Sequence, residues 1–256
     1  MCSAQVIDYN TQVLYTMTYQ KDSLDSTSNT SMVMELLISD NSSLFQTHRD
    51  RQRDSVLLFH DNATKNVAVQ PSRLIIRPVH KFSYRIVKQD QKIYCYDSLY
   101  GLGLEGKNLT YAYEEDVADI DWTLTADTAT INGFLCQKAS LNYGGRTWFA
   151  WFTDQIPISD GPYKFSGLPG LIIKVHDQKK HWVFNMSSIS KVDIAHQINF
   201  QKWFNIKHVT KDKLFKDRRE FENNLPTMVS SSVPVEMVEQ LKSSIKSDNN
   251  WIELYR

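Results

Sequence analysis

The chain has 256 residues, 41% hydrophobic and 12% aromatic, enough to bury a sizeable core in one large or two small domains. Lys+Arg and Asp+Glu both number 29, and a formal net charge of zero argues against a general nucleic-acid binder, which needs a basic excess. No run approaches the roughly 18 apolar residues of a membrane-spanning helix.

At the N-terminus, Cys2-Ser-Ala4 fits the small-x-small end of a secretory signal, with Gln5 as the first mature residue. A second reading makes Cys2 a lipidated cysteine, and a third is a cytosolic chain starting at Met1. Val13–Tyr19 alternates and reads as a strand, and Met32–Ile38 reads as a second. Leu44-Phe45 follows a polar turn. Residues 47 to 80 read as a long irregular excursion. Within it, Arg49-Asp-Arg-Gln-Arg-Asp54 alternates in sign like a solvated loop.

Strands resume at Phe82–Val87, Lys92–Tyr96, Leu109–Tyr113 and Ile120–Leu124. Ala129–Ile131 passes through the turn pair Asn132-Gly133 into Phe134–Leu141, and Gly144-Gly145 turns into Arg146–Phe152. Hairpins in succession imply an antiparallel meander. Trp148-Phe-Ala-Trp-Phe152 has bulky residues on both faces and reads as a central strand covered on both sides. Leu171–Val175 and Trp182–Met186 form a further hairpin. Thr210 caps a helix over Lys211–Glu222, and Pro234 opens a second helix lined by Met237, Val238, Leu241 and Ile245. The expected fold is α+β and mainly antiparallel: a curved sheet or incomplete β-barrel with two C-terminal helices, one domain over residues 6–256.

Between the last two sheet hairpins lies the most constrained segment. Pro157, Gly161, Pro162, Gly167 and Gly170 shape it, and a loop built from Gly and Pro loses little entropy on ordering. Its presentable side chains, Tyr163, Lys164, Phe165, Leu168 and Pro169, form a candidate docking surface. The competing reading folds Phe165 and Leu168 back as a plug over the core.

The search for chemistry finds no Gly-x-Ser-x-Gly elbow, no His-Glu-x-x-His, no P-loop and no Gly-x-Gly-x-x-Gly. No catalytic residue, metal ligand or cofactor is assigned. Glu114, Glu115, Asp116, Asp119 and Asp121 read as a solvated strand edge rather than an acid–base pair or calcium site. His176, Asp177 and His181 flank a turn and read as exposed polar residues, with a zinc or copper site as the weaker alternative. Lys138, Arg146 and Lys164 are charges in the most apolar region, with Glu114 or Asp154 as expected partners. Cys95 and Cys136 read as unpaired buried thiols.

Gly167-Leu-Pro-Gly-Leu-Ile172 is the hexapeptide of the GLPGLI family of Bacteroidetes, which the chain resembles over nearly its whole length. Tyr113-Glu-Glu115, Ile120-Asp-Trp122, Cys136-Gln-Lys-Ala139, Ala150-Trp-Phe-Thr153 and Gly161–Phe165 are similar to that family's other blocks, in order. The resemblance implies a bacterial envelope protein with a cleaved signal, often encoded beside outer-membrane TonB-dependent receptors, and supplies no reaction. The expected function is a non-enzymatic accessory protein, in the periplasm or at the outer-membrane surface, docking on such a complex. It is peripheral to the membrane and takes no nucleic acid. The alternative is a periplasmic carrier holding a lipid or peptide in a half-open barrel. A hydrolase using the acidic patch or a His-bound metal is the weakest reading.

Overall fold

The computed structural model of the chain describes residues 6–52, 84–98, 109–197, 205–229 and 235–254. The readings of Cys2 and Gln5, of the excursion from 53 onward and of the loop at Gly101, Gly103 and Gly106 lie outside the described residues.

Twelve strands run in chain order: β1 (Val6–Gln20), β2 (Asn29–Ile38), β3 (Ser42–Thr47), β4 (Arg85–Gln89), β5 (Lys92–Ser98), β6 (Leu109–Asp116), β7 (Thr123–Ile131), β8 (Phe134–Tyr143), β9 (Arg146–Thr153), β10 (Leu171–Asp177), β11 (Trp182–Gln197) and β12 (Asn205–His208). Two helices follow, α1 (Lys211–Val229) and α2 (Val235–Ser247). None of the described helices is long and apolar enough to cross a membrane. All strands join one sheet in the order β12-β6-β5-β4-β3-β2-β1-β11-β10-β9-β8-β7. Every ladder is antiparallel except the parallel pairing of β12 on β6.

Local chemistry accounts for the turns. Asn132 and Gly133 have φ of 53° and 83°, and Gly144 and Gly145 have 58° and 74°, the left-handed angles that short hairpins require. Asp90 and Gln91 make the same kind of turn between β4 and β5 without a glycine. On β1, Val13, Tyr15, Met17 and Tyr19 alternate onto the inner face. Thr210 Oγ1 accepts the Lys213 N–H at 3.3 Å, so α1 carries its expected cap.

The sheet is open: β7 and β12 are its two edges. It is nevertheless strongly curved. β6 stands second in the strand order and β8 second from the other end, yet Tyr143 on β8 donates its hydroxyl to Glu115 on β6 at 2.9 Å. Side chains bring the two ends together where, among the described residues, no backbone ladder does. One hydrophobic cluster fills the concave side, drawing on strands from both halves and on the segment between β9 and β10.

Three differences from the sequence reading have physical causes. Residues 120–122 are not strand; Ile120 and Trp122 leave the ladder after a short 3-10 turn, Val117–Asp119, and pack against the inner segment. The strand instead covers all of Thr123–Ile131, with a bulge between Leu124 and Thr128. Among the described residues, β9 is covered on one face only. Trp148, Ala150 and Phe152 are buried, whereas Phe149 and Trp151 point outward and stay half-buried among Lys138, Lys174 and His176. These neighbours shield the rings with side-chain stems.

Trp148→Ala should therefore cost about 3–5 kcal/mol, as for a fully buried large aromatic, and Trp151→Ala about 1 kcal/mol. Chemical denaturation of the two variants checks the asymmetry. Equal costs would place both rings in equivalent environments, against the observed burial.

Candidate functional site

The segment between β9 and β10 is the centre of the concave side. Asp160 to Ser166 is buried throughout, as are Leu168 and Gly170. Pro157, Gly167 and Pro169 are exposed. Of the five side chains expected to form a docking surface, only Pro169 reaches solvent; Tyr163, Lys164, Phe165 and Leu168 turn inward. The plug reading is the one realised, and it takes Lys164 inward as well, at 1% exposure.

Backbone geometry fixes this path. Gly170 has φ of 152°, and a Cβ there would collide with the Thr153 carbonyl where the segment meets β9. Tyr163 holds a left-handed φ of 57°, uncommon for a bulky residue, which aims its ring inward. Lys88 of β4 donates to Asp160 and to the carbonyls of Gly161 (2.8 Å) and Phe165 (3.2 Å). Trp122 Nε1 donates to the Ser166 carbonyl at 2.9 Å. The Phe165 ring lies 4.8 Å from Trp148, 5.8 Å from Trp122 and 5.8 Å from Tyr163, distances typical of paired aromatics.

Lys164 is the centre of a buried ionic cluster. Its ammonium bonds Glu115 and Glu253, and Tyr113 Oη at 3.0 Å. It lies 5.0, 5.5 and 5.3 Å from the ring centres of Tyr113, Tyr143 and Tyr163. Lys211 of α1 bonds the same two carboxylates, reaching Glu253 at 2.8 Å. Tyr163 donates its hydroxyl to Glu253. Burial by itself would push the Lys164 ammonium down, but Cys95, Glu253 and the surrounding phenols hold it well above the ordinary lysine value. Burial would raise the Glu253 carboxyl, yet Lys164 and Lys211 outweigh that and bring it down to about 2.

A second knot ties the turn between β8 and β9 to residues 250–252. Arg146 bonds Asp177 at 3.0 Å, Asn250 Oδ1 at 2.6 Å, and the carbonyls of Trp251 and Ile252. A third joins Arg218 of α1 to Asp97 of β5, with the guanidinium 4.4 Å from the Trp251 ring centre. The outer face carries a further buried carboxylate, Glu35, bonded to Gln12 and Arg51. Burial raises its pKa, and Arg51, Gln12 and His48 offset this only in part.

The expected partners of the three embedded charges are thus corrected. Glu114 and Asp154 are exposed. Lys164 takes Glu115 and Glu253, Arg146 takes Asp177, and Lys138 takes Asp127 near the surface at 3.0 Å. Glu115 shares the inner face with Tyr113, two residues earlier on β6, so strand parity separates it from Glu114. Nothing near Glu253 in the sequence marks it as inward-facing.

At the His176–His181 turn, Asp177 spends both oxygens, one on Arg146 and the other on the Trp182 N–H at 2.8 Å. His176 Nδ1 lies 2.9 Å from the Asp177 carbonyl. Among the described residues no group of three His, Cys, Asp or Glu is arranged to hold a metal. Cys95 and Cys136 are separate buried thiols, and burial pushes Cys95 up to about 11.

A family model described as a protein of unknown function (Porph_ging) matches residues 144–174, from the β8–β9 turn through β9 and the inner segment into β10. No curated protein matches the chain. Among solved structures, two crystal structures of PNGF-II in different space groups are similar, with TM-scores of 0.51 and 0.50 and 13% identity each. The likeness covers 82% of this chain and 33% and 32% of those chains, so this chain spans about a third of their length. At that identity the likeness is one of fold.

Lys164→Met should destabilise the fold by about 3–5 kcal/mol, because it leaves two buried carboxylates with one cation fewer. Glu253 has a lowered pKa, so its contribution is present above the unfolded value of 4.5 and is lost as pH falls through about 2. Glu35 has the opposite sign: its raised pKa favours folding at low pH, and that term fades as pH rises. Comparing wild type with Glu253→Gln cancels the Glu35 term. The gap in unfolding free energy should narrow by about 3 kcal/mol between pH 6 and pH 2. A constant gap would remove Glu253 from the ionic cluster.

Proposed function

We propose that the chain is a non-enzymatic accessory protein of the bacterial envelope, of the GLPGLI kind, docking on an outer-membrane complex of the TonB-dependent receptor type. The observation carrying this choice over a carrier is the filled concave face. Tyr163, Phe165 and Leu168, with the Lys164 cluster, occupy the space that a carried lipid or peptide would need. The ionic cluster also favours architecture over chemistry. Both oxygens of Glu115 already accept bonds, from Tyr143, Lys164 and Lys211, and are committed to holding elements together.

The envelope location rests on the resemblance at Gly167–Ile172 and its companion blocks, and on the small-x-small N-terminal pattern. The protein acts from the periplasm or the outer-membrane surface and is peripheral to the bilayer. Because Tyr163, Lys164, Phe165 and Leu168 all turn inward, docking uses another part of the surface.

Two measurements in the native host test the proposal. Intact mass should show a mature chain beginning at or near Gln5, or a lipid on Cys2. Affinity isolation from cross-linked membranes should bring down an outer-membrane receptor complex. A chain that retains Met1 and fractionates with cytosol overturns the envelope reading; a lipid that co-purifies at one per chain restores the carrier.

A further inference from the structure

The sequence of β9 calls for cover on both faces, and the described residues provide it on one. On the outer face the ladders place Lys138, Trp151, Lys174 and Asn185 in one cross-strand row over β8, β9, β10 and β11. The adjacent row is Ser140, Phe149, His176 and Val183. Two half-buried aromatic rings therefore sit between polar strands, Trp151 with a lysine on either side. The Phe149 ring centre is 5.8 Å from that of His176. Lys138 is neutralised by Asp127, and its ammonium lies 5.0 Å from the Phe149 ring centre and 5.8 Å from that of Trp151.

The rim is cationic. Among the described residues Lys174 has no carboxylate partner, and neither do Lys179 and Lys180, which are exposed on the turn that continues β10. Burial lowers the His176 pKa, so this ring adds no charge at neutral pH. Aromatic residues inside a charged rim are the usual anatomy of a protein interface centre, and Trp is prominent among its anchors.

We propose that this outer face of β8–β11 is the docking surface, and that its occupant is an acidic segment of a partner protein. Carboxylates on the segment would meet Lys174, Lys179 and Lys180, and its apolar side chains would complete the cover of Phe149 and Trp151. A bilayer fits less well. The rings are half-buried rather than exposed, and three lysines fall short of the clusters of about four to eight that anionic lipid surfaces recruit. A sugar platform also fits less well, because the Lys138 ammonium already lies over both rings. The inference rests on the accessory reading above, whose docking site it locates.

The test places the photo-cross-linker p-benzoylphenylalanine at Trp151, at Phe149, and as a control at Leu24, a 93% exposed residue in the β1–β2 loop. After irradiation in the native host, cross-linked peptides are sequenced by mass spectrometry. The expected result is cross-linking to one acidic segment from 149 or 151 and not from 24. The triple change Lys174→Glu, Lys179→Glu, Lys180→Glu should reduce it at least tenfold with an unchanged melting temperature, and Lys substitutions in the partner segment should restore it. Cross-links to lipid or sugar alone, none above the control, or no response to charge reversal overturn the inference. Should a receptor complex co-purify without cross-linking here, the accessory reading survives and this surface does not. An acidic partner outside the outer membrane gives the reverse outcome.

Discussion

The ion pair between Lys164 and Glu253 is the constraint on which the rest of the architecture depends. Taking an ammonium and a carboxylate out of water costs several kcal/mol each, and attraction compensates only where geometry and further hydrogen bonds are good. Here the ammonium finds a second carboxylate, a phenol and three ring faces, and the carboxylate finds a second ammonium and a phenol. The participants come from β6, β8, the inner segment, α1 and residue 253. Such a cluster is complete only when all five are in place, so it discriminates against partly assembled states more than it adds net stability.

That cluster explains how an open sheet stays curved. A closed barrel removes its edges by continuous backbone pairing. Among the described residues this sheet has twelve strands, with β7 and β12 at its edges, and its ends meet through Tyr143, Glu115, Lys164 and Lys211 instead. Residues 249–254 act as a strap across the opening. Asn249 bonds Asp22 in the loop between β1 and β2, Asn250 bonds the Gln20 carbonyl at the end of β1, Arg146 takes up the Trp251 and Ile252 carbonyls, and Leu254 N–H donates to the Gly144 carbonyl. The β8–β9 turn needs glycine partly for this reason: a Cβ on Gly144 would stand 2.7 Å from Glu253 Cγ.

Strand periodicity made much of this legible. The alternation of β1, the Asn132-Gly133 turn, the β8–β9 hairpin and the Thr210 cap are local signals, and local signals survive into the fold. Four things were not local. β12 and the long extension of β11 owe their conformation to neighbours distant in sequence. The one-sided cover of β9 depends on which residues stand opposite Phe149 and Trp151, a matter of register that one strand does not encode. The ionic cluster joins residues up to 138 positions apart, Glu115 to Glu253 through Lys164. The inward turn of Tyr163 through Leu168 was visible only as an alternative, since Gly and Pro fix a rigid path without giving its direction.

The stretch matched by the family model, residues 144–174, has a physical content. It contains the glycine turn that receives the strap, Arg146, the strand whose inner face lies against Phe165, the segment that carries Lys164, and the glycine that lets that segment pass the Thr153 carbonyl. Each of these features serves to put one buried cation and one aromatic plug inside a sheet that does not close. A motif of this kind specifies architecture, and a likeness confined to it transfers the architecture and no reaction. Under the docking proposal, recognition falls where the architecture leaves latitude: on the outer faces of the strands that the plug holds in place, where Phe149, Trp151 and Lys174 stand.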